Sequence, residues 1–157
     1  MRLSRGKISA ERLGNSRQSQ NDGVNGADLI TRAIAALPEL REPLERTLAT
    51  AQGDSSDAEL WIAAYAVYGG VVWNFLRDGW AAGRTDDVRR VLVLAEQIAS
   101  SGDPTARSVI TTEIAYQAVT HNLHVRMREL MGPATQTLLD SQEALVKSYL
   151  DRKKRPR

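Results

Sequence analysis

The side chains able to do chemistry are few and widely separated in this chain. His121 and His124 stand three residues apart, so a helix places both on one face, with Glu113 two turns earlier. Imidazoles and a carboxylate in that order suit a divalent metal, but such a site needs at least one or two further ligands, and no spacing specifies them. The Glu-x-x-His repeat of carboxylate-bridged di-iron bundles is absent from the sequence. A structural or interface role for the histidines is therefore expected, and no metal.

Other chemistries find less support. Ser100, Ser101 and Ser108 stand where turns and helix surface explain them, with no Gly-x-Ser-x-Gly elbow to strain a nucleophile. Gly69-Gly70 leads into apolar residues and no lysine, unlike a phosphate-cradling loop. Asp86 and Asp87 are sequence neighbours, so they do not face each other across a cleft; charge at a helix start is their expected use. The chain has no cysteine, which removes disulfides, thiolate zinc sites and thiol catalysis together. These residues predict no catalytic site and no cofactor, and hence a non-enzymatic protein.

The elements that carry these residues read as helices throughout. Leu29, Ile30, Ala33, Ile34 and Leu37 recur at helical spacing until Leu37-Pro38 interrupts them. Leu40, Leu44 and Leu48 mark a second helix that stops at Gly53. Ser56-Asp57-Ala58-Glu59 matches a capping box and opens the longest apolar segment, with no charge between Glu59 and Arg77. A membrane span takes about 20 predominantly apolar residues. The alanines, glycines and Asn74 weaken this run further, so a helix buried on nearly every side is expected instead, with Gly69-Gly70 permitting close approach or a kink.

Thr85 caps the next helix, whose stripe is Val88, Val91, Leu92, Ala95, Ile98 and Ala99. The turn Ser101-Gly102-Asp103-Pro104 then reads residue by residue. Gly102 takes the left-handed conformation that closes a helix, Asp103 caps the next, and Pro104 suits its first position. A following helix runs from there to Met131-Gly132-Pro133, and a last one carries Leu138, Leu139, Leu145, Val146 and Tyr149. The expectation is an all-α fold of about six helices, either a compact bundle or a short HEAT-like array of helical hairpins. Residues 1–25 read as a disordered basic leader, 26–150 as a single helical domain, and 151–157 as a basic tail.

Charge is distributed against the overall balance. The chain is +2 in total, but residues 26–150 carry 11 basic and 16 acidic side chains, a net of −5, and both ends are basic. A nucleic-acid reader usually clusters its cations on a folded face. A protein partner is therefore expected, with nucleic acid held by the tails as the alternative. The first 25 residues lack the apolar core of a secretory signal, so a cytoplasmic location and no membrane association are expected. Asp54, Asp57, Asp86, Asp87 and Asp103 supply negative charge near helix starts, and Trp80, beyond Arg77-Asp78, is the aromatic expected to be an exposed anchor.

The order Leu37-Pro38-Glu39-Leu40, a long apolar helix, Val91-Leu92, Ser101-Gly102-Asp103, Arg107, Ile110, Glu113 and Leu130-Met131-Gly132-Pro133-Ala134-Thr135 resembles a family of small bacterial all-helical domains of unknown function. The resemblance covers roughly residues 28–140. It implies an immunity protein that neutralises a polymorphic toxin by direct binding, with no catalytic residues to carry over. An acidic body would suit such a role, because many intracellular toxins are nucleases with basic substrate sites.

Overall fold

The computed structural model describes residues 24–51, 53 and 56–154. Asn25 opens the first helix, α1 (Gly26–Ala36): its side chain accepts from the Asp28 N–H at 2.9 Å while Asp28 accepts from the Asn25 N–H at 3.0 Å. That reciprocal cap satisfies two donors that a helix start leaves unpaired. After Leu37 a single 3-10 turn, Pro38–Leu40, leads into α2 (Arg41–Ala51). The interruption falls at Leu37-Pro38, as the proline requires.

Helix α3 runs over 57–81 without a break. Ser56 and Glu59 form the capping box at its start, and Val67–Val72 widen into a π-helical segment. The helix is buried along one broad side and not on nearly every side: Ile62 is 66% exposed, and Ala66 and Asn74 also face outward. Gly83, at φ +70°, turns the chain into α4 (Thr85–Ala99). Here Arg84, not Thr85, occupies the cap position, and no side chain caps this helix. Asp86 and Asp87 in the first turn offset the exposed N–H groups electrostatically instead.

Gly102, at φ +82°, closes the turn after α4, and Asp103 accepts from the Ala106 N–H at 2.8 Å with Pro104 at the first helical position. Helix α5 then spans 104–120, with its own π-helical segment at Thr111–Ala115. It ends earlier than the apolar pattern indicates. Asn122 adopts φ +57°, which stops the helix and starts α6 over 124–130. Asparagine tolerates this left-handed conformation better than most residues, so the polar His121-Asn122 step divides one expected helix into two. The last helix, α7 (Pro133–Lys153), continues three residues into the basic tail. Among the described residues there are thus seven helices and no strand.

Packing decides between the two expected architectures. Helix α1 packs on α2, α3 and α4, and α7 packs on both α4 and α5. In a solenoid each repeat touches only its neighbours, whereas these helices share one core. Leu29, Leu44, Tyr68, Leu92, Ile110, Ile114, Met127 and Leu139, drawn from every helix, are all buried within it. Helices α3 and α5 run side by side in the same direction: Tyr65 donates to Ser108 at 2.9 Å, and further along Gly69 faces Glu113. The fold is a compact all-α bundle.

Candidate functional site

The side chains of α4 and its neighbours form the most organised polar surface. Arg90 reaches back to α2's entry turn and grips both oxygens of Glu39, at 2.6 and 3.0 Å, while also donating to Asp87 at 2.6 Å. Arg84 holds the other Asp87 oxygen at 2.8 Å. These contacts press the Asp87 carboxyl below its ordinary range, first through Arg90 and then through Arg84, and Arg90 does the same to Glu39. Beside this network Ala36, Val93 and Leu94 floor a groove of about 490 Å³, edged by Asp86, Arg89 and Arg90. Val93 is 49% exposed there.

The arrangement positions a guanidinium without freeing it. Arg90 has two anionic partners, so it stands fixed at the groove wall with little rotamer entropy left to lose on contact. Asp86 pairs with Arg89 at 3.3 Å and remains the accessible acid of the site. The result is an apolar strip between ordered charges, which suits a side chain or helix from another protein better than it suits covalent chemistry.

The expected binding residues are divided between the two ends of the bundle. Trp80, Asp86 and Asp87 gather around the turn from α3 to α4. Asp57 opens α3 and is separated from Trp80 by nearly its whole length, about 35 Å at 1.5 Å per residue. Asp103 caps α5 at the far end of α4 and is committed to the Ala106 N–H. Asp54 lies outside the described residues. Trp80 is not an exposed anchor: it is half-buried and packs against the core, lining a small cleft with Gly79, Gly83, Thr85 and Val88. Gly79 packs beside Asp87 and Val88 at the base of α4.

The histidines do not converge with Glu113. His121 is exposed and tilts against the Trp73 ring at a centroid separation of 5.5 Å. His124 is mostly buried and lies 3.7 Å from Glu143. Among the described residues no three histidines, aspartates or glutamates are grouped as a metal would need. Glu113 instead occupies the space a Gly69 side chain would fill, one π-helical segment facing the other. Burial raises its pKa.

Sequence patterns did not expose Glu96. It projects from the half-buried side of α4 and accepts from the Ala134 N–H at 3.0 Å and from Thr135 N–H and hydroxyl, each at 2.8 Å. Burial works to raise its pKa, but these three donors outweigh that and hold it below the ordinary value. Gly132 is at the cap position with no side chain of its own, and a Cβ there would overlap the Glu96 carboxylate. The only sequence signal was that pairing of Gly132-Pro133 with an otherwise uncapped helix start.

No helix among the described residues is long and apolar enough to cross a membrane. Comparison with curated proteins and with solved structures finds no match. Residues 30–146 match the family described as Domain of unknown function (DUF7674), spanning the bundle from α1 into α7. Because that match takes in most of the chain, including the α4 groove and the Glu96 cap, this protein belongs to that family.

Proposed function

We propose that this protein is a non-enzymatic interaction domain, an immunity protein that neutralises a cognate toxin by binding it directly. The observation that carries the reading is the α4 groove: an apolar floor of Ala36, Val93 and Leu94 between charges already held in place by Glu39, Asp87 and Arg90. Such a strip accepts an apolar anchor at its centre and polar contacts at its rim, the usual anatomy of a protein interface. The net charge of −5 over residues 26–150 favours encounter with a basic partner.

Local pairing limits how that charge acts. Asp86 and Asp87 are matched by arginines on their own helix or beside it, and Asp103 is used as a cap. The acidic balance therefore steers at long range, and apolar contact along α4 supplies the affinity. Growth of cells expressing a candidate cognate toxin tests this. Co-expression of the wild-type chain restores growth, and Val93→Glu, which places a charge on an exposed floor position, abolishes rescue without changing the melting temperature. Equal rescue by Val93→Glu would refute the groove as the binding surface. No rescue by the wild-type chain would refute the immunity role.

A further inference from the structure

Helix α7 continues well beyond the part of it that the core covers. Its buried side chains stop at Leu139, yet the helix runs on to Lys153, about 21 Å further at 1.5 Å per residue. Along that extension Leu145, Tyr149 and Lys153 stand four apart, as do Val146 and Leu150, so all five share one side of the helix. Val146 rests on the core, whereas Leu145 and Tyr149 are each 53% exposed and Leu150 is 49% exposed. Between this side and the end of α5 lies a groove of about 520 Å³, with Tyr116 and Thr120 on the α5 wall and Leu145, Tyr149, Leu150 and Arg152 on the α7 wall. A contiguous apolar stretch of this kind, rimmed by charge, marks an interaction site.

The charges around the groove identify the occupant. From Leu145 to Lys154 the helix carries four cations, Lys147, Arg152, Lys153 and Lys154, against Asp151 alone. Arg152 is the one charged residue lining the groove, and no acid borders it. Lys153 adds a second cation on the same side, its ammonium 4.8 Å from the centroid of the Tyr149 ring. The acids of α7 lie elsewhere: Asp140 is held by Arg128 at 2.6 Å, Glu143 faces His124 at 3.7 Å, and Asp151 borders a separate groove on the other edge of the helix. Among the described residues neither Arg152 nor Lys153 pairs with a carboxylate. Two such cations beside bare apolar side chains complement a ligand that carries both carboxylates and apolar groups. The groove is a trough between two helices, so it receives a narrow apolar ridge and not a flat lipid surface. An amphipathic helix has that shape. We propose that the end of α7 binds an acidic amphipathic helix of another protein, whose apolar ridge seats between Tyr116 and Tyr149 and whose carboxylates meet Arg152 and Lys153. The surface lies on a different helix from the α4 groove, so this site and the immunity reading stand or fall separately.

A fluorescently labelled synthetic helix of glutamate, with leucine recurring at helical spacing along one face, probes the surface by anisotropy. Full-length wild-type protein binds it, and binding weakens as salt rises. Replacing the leucines of the probe by serine, or its glutamates by lysine, weakens binding by about tenfold or more. Leu150→Asp has an effect of the same size. So does Arg152→Glu, at an exposed position, with an unchanged melting temperature. Val93→Glu, on α4, binds the probe as the wild-type protein does. No binding by the wild-type protein overturns the proposal, as does equal binding of the serine or lysine probe, or binding that Leu150→Asp and Arg152→Glu leave intact. Loss of binding in Val93→Glu places the probe in the α4 groove and overturns it too. Sedimentation with phosphatidylglycerol vesicles tests the lipid alternative: wild-type protein that pellets with them but ignores the probe assigns the surface to a membrane. Light scattering tests self-association: a dimer that Leu150→Asp dissociates assigns the surface to a second copy. Either result overturns the acidic helix as its occupant.

Discussion

Glu96 and Glu113 are both partly buried carboxylates, and their surroundings give them opposite signs. Glu96 faces three donors, so its ionised form is favoured in the folded protein and its pKa is lowered. Its contribution to stability is complete above the unfolded value near 4.5 and is lost as pH falls through the lower folded value. Glu96→Ala removes the acceptor from a half-buried helix start and costs about 2 kcal/mol at pH 7, read by denaturant unfolding. Glu113 lies in the second π-helical segment against Gly69 of the first, and burial raises its pKa. Its protonated form is the one favoured on folding, so stability from this group is present below pH 4.5 and lost as pH rises through the folded value. Glu113→Gln, which resembles the protonated acid, therefore raises the melting temperature at pH 8 and leaves it nearly unchanged at pH 4. A lower melting temperature at pH 8 would show that the ionised carboxylate has a stabilising partner.

At the scale of elements, glycines mark where helices meet or turn. Gly26 packs onto the Leu60 carbonyl of α3, and a Cβ there would overlap that backbone. Gly26→Ala therefore forces α1 away from α3 and lowers stability more than Gly102→Val does, although Gly102 is left-handed at φ +82°. The latter costs about 1–2 kcal/mol, the penalty of that conformation for a side-chain-bearing residue. Urea titration of the two variants ranks them. The Gly102 turn was legible in the sequence because its glycine, cap and proline act within four residues. The ending of α5 at Asn122 was not, since Leu123, Met127 and Leu130 preserve the apolar period across the break. Glu96 and the Gly26 contact were equally hidden, because each depends on a helix distant in sequence. Of the candidate site, the acids of α4 and their arginines three residues away were visible as residue types, but the reach of Arg90 to Glu39, 51 residues earlier, arises only from packing.

For the whole molecule, the bundle separates two outward-facing surfaces onto different helices. The α4 groove is walled by immobilised charge, whereas α7 sets Arg152 and Lys153 beside bare apolar side chains. The first is the surface proposed above for a protein partner. Titration of a purified candidate toxin domain tests the proposed role most directly, with wild-type protein and Val93→Glu compared by calorimetry at two salt concentrations. The proposed role predicts a one-to-one complex per chain whose affinity falls as salt rises, and at least a hundredfold weaker binding by Val93→Glu. Undiminished binding by that variant, or no complex with the wild-type protein at any temperature tested, would contradict it.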